Sequence, residues 1–437
     1  MSEVFEAFIS IAAGLGTITA LAYAYRTLYL VLGLFCVRRY PRAKVQHRYG
    51  IVIAARNEQA VLGYRLDSIR AQAYPRELIT TFVVADNCTD ETARMAREHG
   101  AICYERHDSE HCTKGYALEF LFDCIERDFG RASFDGYFIF DADNLLQSDY
   151  ITHMNDAFDA GEDIVASYRN TKNFDAGWIA YSYGAHWLGT TRTEHRARSY
   201  LGLSTRLQGT GYLFTSALVK DGWHYTSLTE DRHLTADAVC RGLRVGYQHE
   251  AIFYDEQPTD LRIALRQRLR WARGNLIVFL RVGGKLLLEL FRRLFRPRKG
   301  ERRFKDAFIC YDVFMTTFPE TLLFVARSLL RLTGEFALIC LSGAASEAWQ
   351  ALLLALCLDA GQYYLSRLLI PVYATLTEHR RMPAMPWYKK VIGCLLWPIF
   401  PLIGDICMLI ALFYPVKWKP IPHNAQISID HLHPHKK

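Results

Sequence analysis

The chain has 437 residues, too many for one ordinary globular domain, and 51% of them are apolar. Its formal net charge of +7 suits a polyanionic ligand or an anionic membrane surface without choosing between them. Eleven cysteines with no CxxC spacing argue against a disulfide framework and for reduced thiols in a cytoplasmic soluble part.

The first element is the apolar run FEAFISIAAGLGTITALAYAY, residues 5 to 25, long enough to cross a bilayer. Glu3 and Glu6 stand where a signal peptide would carry lysines. Arg38, Arg39, Arg42, Lys44 and Arg48 follow the run, which places the N-terminus outside and residue 45 onward in the cytoplasm. Arg26 either ends this span and snorkels, or faces a protein partner within a longer one.

From residue 50 strand and helix patterns alternate. GIVIAA, LITTFVVAD, AICYER and GYFIFDAD read as strands. QAVLGYRLDSIRAQAY, TDETARMAREHG and KGYALEFLFDCIERDFG read as helices. The alternation predicts a mainly parallel sheet with helices on both faces, and ligands in such sheets bind beyond the carboxyl ends of the strands. Those ends carry Ala54, Arg56, Glu58, Asp86 and the pair Asp141 and Asp143. Asp86 lies one step before the cap positions Thr89 and Asp90, so a nucleobase or ribose contact is the better reading. Asp141 and Asp143 form either a turn or a site for a hard divalent cation, Mg²⁺ or Mn²⁺, completed by ligand phosphates. A Walker A loop and a GxGxxG fingerprint are both absent, which weakens P-loop and dinucleotide readings. His99, Cys103, His107 and His111 recur at four-residue steps with Cys112 beside them, but the strand AICYER breaks any common face, so a zinc site is disfavoured.

Further along, LQGTGYLFTS brings Gly209, Thr210 and Gly211 into a turn that permits close backbone approach to a ligand. LTEDRHLTADAVCRG places Thr229 as a helix N-cap, with Glu230 and Asp231 in the first turn. The helix dipole alone accounts for those acids; as chemistry, Asp231 is a candidate general base. RQRLRWARGN, residues 266 to 275, sets Trp271 among arginines on an amphipathic stretch suited to a membrane surface. Apolar runs at 307–330, 336–371 and 391–414 suggest three late spans, or four if the middle one divides. Trp349, Tyr363, Tyr364, Trp387 and Trp397 within them either stack on sugars or, more commonly, pack the core. The tail from 416 to 437, with Trp418 among lysines, either packs at the membrane surface or is disordered.

Taken together, Asp86, the DAD at 141–143, the TED at 229–231 and QRLRW at 267–271 resemble, in order and spacing, the membrane-embedded family 2 glycosyltransferases, the group of the cellulose, hyaluronan and chitin-oligosaccharide synthases. Gln267, Arg270 and Trp271 fit the QxxRW signature of that group, and KGYAL at 114–118 resembles its KG-x-AL segment. The resemblance spans about 50 to 275 and implies an α/β GT-A (Rossmann-like) cytosolic domain at 45–260, with α-helical transmembrane segments at 1–44 and 306–415 and amphipathic interface helices at 261–305.

It further implies inverting transfer from a UDP-sugar. Ala54, Arg56, Glu58 and Asp86 would hold the uridine, and Lys114 would contact the nucleotide. Asp141 and Asp143 would handle the diphosphate and its Mg²⁺ or Mn²⁺, and Asp231, with Thr229 and Glu230 beside it, would deprotonate the acceptor. Gln267, Arg270 and Trp271, with the loop Gly209, Thr210 and Gly211, would hold the acceptor end and the leaving diphosphate. Two departures stand out: Ala85 precedes Asp86 where many relatives carry a second aspartate, and GTGYLF replaces the cysteine-bearing loop of the cellulose synthases.

The expectation is a processive polysaccharide synthase of the cell membrane. It would extend a β-linked glycan on the cytoplasmic face and pass it across the membrane, with export or regulatory proteins as possible partners. UDP-glucose is the first candidate donor; N-acetylglucosamine, or alternation with glucuronic acid, stays open. A non-processive enzyme glycosylating a lipid needs the same catalytic residues. A membrane-anchored protein binding nucleic acid or anionic lipid through the basic 262–305 region would leave the carboxylate motifs unexplained, so nucleic acid is not expected as a partner.

Overall fold

A computed structural model of the chain describes residues 2–382, 385–416, 427–429 and 432. The N-terminal apolar run forms α1 (Ser2–Tyr23) and α2 (Arg26–Phe35), separated by a short break. The α/β part then runs β1 (Tyr49–Ala55), α3 (Leu62–Arg70), β2 (Ile79–Asp86), α4 (Thr92–Glu98), β3 (Ile102–Arg106), α5 (Lys114–Asp128) and β4 (Gly136–Asp141). It continues through β5 (Leu145–Leu146), α6 (Tyr150–Asp159), β6 (Ile164–Thr171), α7 (Trp178–Thr190), α8 (Arg196–Leu201), β7 (Tyr212–Thr215), α9 (Glu230–Cys240) and β8 (Val245–Asp255). The helices α10 (Leu261–Phe295), α11 (Arg303–Thr317), α12 (Glu320–Leu341), α13 (Ala345–Glu378), α14 (Trp387–Leu396) and α15 (Ile399–Phe413) follow.

β1 is central because YGIVIAA carries no charge and can be buried on both faces. Its alternate residues enter different cores: Val52 packs with Phe82, Leu118, Phe122 and Ile139, while Ile51 and Ile53 pack with Leu66, Phe138, Phe140 and Met154. β1 pairs in parallel with β2 and β4, and β3 adds outside β2, so Asp86, Arg106 and Asp141 reach one edge together. Beyond β4 the sheet is mixed, in the order β3-β2-β1-β4-β7-β6-β8-β5. β7 is antiparallel to both β4 and β6, while β6 and β8 are parallel. The parallel pairing expected holds for β1 to β4 and again for β6 with β8, while β4–β7, β7–β6 and β5–β8 are antiparallel. The turn into β7 makes the reversal. Gly211 there has φ +68°, and a Cβ would lie 2.2 Å from the ring of Phe253.

Three stretches among the described residues are long and apolar enough to cross a membrane: Ser2–Phe35, Glu347–Glu378 and Trp387–Phe413. The late runs divide differently from the sequence expectation. The 307–330 run splits between α11 and α12, which carry Asp312, Glu320 and Arg327. The 336–371 run is cut by a turn before α13, and 391–414 is broken between α14 and α15. Of the late aromatics, Trp397, Tyr363 and Tyr364 take the packing alternative. Trp397 Nε1 donates to Ser182 O at 3.1 Å, Tyr363 Oη to Asp405 at 2.8 Å and Tyr364 Oη to Leu395 O at 2.7 Å, whereas Trp349 and Trp387 are exposed. In the tail, Leu432 packs with Leu145 and Tyr254; Trp418 lies outside the described residues.

The N-terminal helices are fixed to the rest through Asp312, which is 1% exposed. Its carboxylate accepts from Tyr25 at 2.8 Å, Tyr29 at 2.9 Å, and Arg198 Nε and Nη2 at 2.7 and 2.8 Å. Arg26 donates to Met315 O at 3.2 Å, so it faces protein. Removing one partner of such a buried pair strands the other charge. Asp312→Ala is therefore expected to cost about 3–5 kcal/mol, and the joint Asp312→Leu/Arg198→Met exchange less, read by thermal unfolding in detergent.

Candidate active site

A single cavity opens where the strand ends meet the start of α9 and the first turns of α10. On its sheet side stand Ala54, Ala55, Arg56, Glu58, Asp86 and Asp141. The alanines of β1 leave room that larger side chains would fill. Asp86 is buried, and its Oδ1 accepts from Arg106 Nη1 at 2.6 Å and Asn87 Nδ2 at 3.1 Å.

Lys114 begins α5. Its ammonium donates to Asp141 Oδ1 and to Gly209 O (2.8 Å) and lies 3.8 Å from Glu230 Oε1. The next residue has to be small: a Cβ on Gly115 would lie 2.4 Å from Tyr225 O. This contact holds the N-terminus of α5 against the segment leading into α9, and so holds Lys114 beside Glu230.

Thr229, Glu230 and Asp231 line the opposing wall. Thr229 occupies the N-cap position without making the expected cap bond. Its Oγ1 is buried and has no partner among the described residues, because the side chain packs where α10 passes at Gly274. Burial pushes the Glu230 carboxyl up, Lys114 opposes the rise and Asp231 adds to it.

α10 contributes Gln267, Arg270 and Trp271. Trp271 meets Tyr183 and Trp187 edge-on, at 5.8 and 5.9 Å between centroids. Among the described residues the Arg270 guanidinium makes no hydrogen bond, and the buried Gln267 Oε1 has no partner. Neighbouring arginines have other uses: Arg268 lies 3.7 Å from the Phe400 ring centroid, and Arg273 donates to Ala411 O at 2.9 Å. They bind α10 to α15.

Thirteen of the residues singled out by sequence meet in this cavity: Ala54, Arg56, Glu58, Asp86, Lys114, Asp141, Gly209, Thr229, Glu230, Asp231, Gln267, Arg270 and Trp271. Asp143, Thr210 and Gly211 sit behind its wall. Asp143 accepts from Glu256 N at 2.7 Å and Asn144 Nδ2 at 3.1 Å, and Thr210 Oγ1 accepts from Asp141 N at 2.9 Å. No cluster of three or more His, Cys, Asp or Glu fit for a metal occurs among the described residues. His99 instead pairs with Asp67, and His111 with Asp108. Asp141, half-exposed toward the cavity, is the donor type that holds Mg²⁺ or Mn²⁺ together with ligand phosphates.

The cavity also gathers Arg169, His186, Trp187, Arg206, Gln208 and Arg232, which the sequence reading missed. Arg169 shows why. It donates to Asp255 Oδ2 at 2.7 Å and Gln208 O at 2.6 Å and lies 3.8 Å over Trp187, all partners remote in sequence.

Residues 47–274 match the family model described as glycosyltransferase like family 2. The probable glycosyltransferase YdaM of Bacillus subtilis is 23% identical over 303 residues, covering 63% of this chain and 63% of that protein. The poly-beta-1,6-N-acetyl-D-glucosamine synthase of Staphylococcus aureus is 24% identical over 261 residues, covering 56% of this chain and 60% of the relative. The chain thus spans about three fifths of these curated relatives. Among solved structures, the Pyrobaculum calidifontis mannosyltransferase PcManGT, in complex with GDP-Man and Mn²⁺, superposes with a TM-score of 0.54 at 18% identity, covering 92% of this chain and 99% of that one.

The raised Glu230 carboxyl has a consequence for stability. The folded state favours its protonated form, a contribution complete in acid and lost as pH rises through the folded pKa. Glu230→Gln should therefore gain stability over the unmodified protein between about pH 5 and pH 8, measured by thermal melts at both ends.

Proposed function

The chain belongs to glycosyltransferase-like family 2, and from that premise we propose that it is an inverting, UDP-sugar-dependent hexosyltransferase that extends a β-linked glycan at the cytoplasmic face of the cell membrane. UDP-glucose is the first donor to try. The observation that carries the reading is the meeting of Asp231, the Lys114–Asp141 pair and the Gln267/Arg270/Trp271 face in one cavity. The three apolar helices support membrane attachment, and the basic residues between 38 and 48 support a cytoplasmic catalytic part.

In this reading Ala54, Arg56, Glu58 and Asp86 hold the uridine, with Arg106 fixing the Asp86 carboxylate. Lys114 lies beside the donor phosphates. Asp141 would hold a Mg²⁺ or Mn²⁺, with Asp143 next along the turn, and the metal when bound would supply charge stabilisation to the diphosphate; PcManGT was solved with Mn²⁺. Asp231 takes the proton of the acceptor hydroxyl as its oxygen attacks the anomeric carbon. The anomeric C–O bond breaks, and UDP leaves with the electron pair toward Arg270, whose uncommitted guanidinium meets the growing charge. Trp271 offers the sugar an apolar face. A single displacement inverts the anomeric centre, so an α-linked donor gives a β-glycoside.

Asp231→Asn is expected to lower turnover about 10³-fold with UDP binding intact. Radiolabelled UDP-glucose, UDP-N-acetylglucosamine and UDP-glucuronate, supplied with Mg²⁺ or Mn²⁺, should identify the donor. A high-molecular-weight product that is lost in the variant supports extension; label confined to a small lipid-soluble product assigns single transfer instead. Enclosure of polymer inside vesicles tests passage across the membrane.

A further inference from the structure

The cavity holds positive charge that the reaction above does not use. Lys114 is matched by Asp141, and Arg169 by Asp255. Arg206 and Arg232 line the wall together with Asp231, and Arg232 reaches across to α10 and α11. Arg232 donates to two neutral oxygens, Asn275 Oδ1 at 3.0 Å and Thr316 O at 3.4 Å. Arg206 donates through Nε to Glu194 Oε2 at 3.0 Å, an oxygen shared with Arg198 Nη1 at 2.6 Å. Arg198 has its own carboxylate in Asp312, so Glu194 is left to match Arg206, while Arg232 hydrogen-bonds to no acid among the described residues. Burial, then Arg206, pushes the Arg232 guanidinium down to about 10, against the nearby Asp231 and Glu194. Burial, with Arg206 and Arg268, pushes His186 beside them down to about 3, so it stays neutral. Arg232, unmatched by an acid through hydrogen bonds, stands with the Glu194-paired Arg206 next to the candidate base, and the two together suit an anion. The planar fork of each guanidinium suits the oxygens of a phosphate.

The position of this wall selects the source of the phosphate. Thr316, which anchors Arg232, follows Met315, whose carbonyl takes Arg26 of the N-terminal apolar stretch. Through α11 the cationic wall is thus linked to the N-terminal apolar stretch, which is long and apolar enough to cross a membrane. We infer that Arg206 and Arg232 form an acceptor subsite for a lipid phosphate, so that the first acceptor is a membrane lipid carrying a phosphate beside the hydroxyl that receives the sugar. The inference rests on the transfer reaction proposed above and leaves its balance unchanged. The lipid oxygen bonds to the anomeric carbon, the bond to the diphosphate breaks, UDP carries off the electron pair and Asp231 takes the proton. The lipid phosphate is held and not consumed.

The test uses the purified full chain in mixed micelles of phosphatidylcholine doped equally with phosphatidylglycerol or diacylglycerol, two lipids with a free glycerol hydroxyl that differ in the phosphate. Transfer to phosphatidylglycerol should exceed transfer to diacylglycerol by about tenfold or more. Arg206→Gln and Arg232→Gln should raise the KM for phosphatidylglycerol about tenfold, with UDP binding unchanged. The corresponding lysine variants, which keep the charge, should recover most of the loss. Equal transfer to both lipids, or transfer to neither with UDP binding intact, overturns the inference alone. So does a KM change confined to a UDP-glucuronate donor, which would assign the two arginines to the donor sugar. Failure of the unmodified protein to bind UDP would overturn the transfer reading itself.

Discussion

A carboxylate that cannot reach water organises this molecule. Asp312 is buried between the N-terminal helices and the α/β part, and a buried charge is tolerated only when its partners are fixed. Tyr25 approaches it from the α1–α2 break, Tyr29 from the first turns of α2, and Arg198 from α8. Arg198 also reaches Glu194, which in turn holds Arg206 in the cavity wall. The apolar N-terminal stretch, the late helix α11 and the wall of the cavity are thus joined by one chain of charged hydrogen bonds. An N-terminal segment that reads as a simple anchor is, through this chain, a support for the site.

A second tie runs through α10. Its Gly274 sits so close to Thr229 that a Cβ would lie 2.6 Å from the threonine methyl. The helix carrying Gln267, Arg270 and Trp271 is therefore in direct contact with the residue that opens α9. The same helix is held to α15 by Arg268 and Arg273. The surfaces that would meet the leaving group and the acceptor are placed by packing against an apolar helix, and the catalytic half and the apolar half are not independent parts.

Much of this was legible before any coordinates. Strands β1 to β4 announce themselves by short apolar runs that end in polar residues, and the parallel pairing then brings Asp86 and Asp141 to one edge. Lys114, the TED acids and the QxxRW residues were found because each sits in a compact motif. The antiparallel entry of β7 was not legible, since it follows from a turn at Gly211 whose partner, Phe253, is far along the chain. Nor was the different burial of Asp141 and Asp143. β4 ends at Asp141 and the chain then turns back, so two carboxylates that look equivalent in sequence face different surroundings. Arg169 comes from β6, Arg206 from the segment between α8 and β7, and Arg232 from α9, and no spacing rule links them.

The junction between α7 and α8 carries a last lesson. The chain runs from one helix into the other without a break, but through five residues of π-helix, Thr191–His195. Such a turn inserts an extra residue into the α-helical repeat. One residue of α-helix is about 100° of rotation, so α8 is out of phase with α7 by roughly that angle. In that phase Arg198 faces Asp312. The π turn acts as a register key: deleting a single residue there would keep both helices helical and would turn the guanidinium away from its carboxylate. A length polymorphism at this point, silent to any measure of helix content, would uncouple the N-terminal segment from the site.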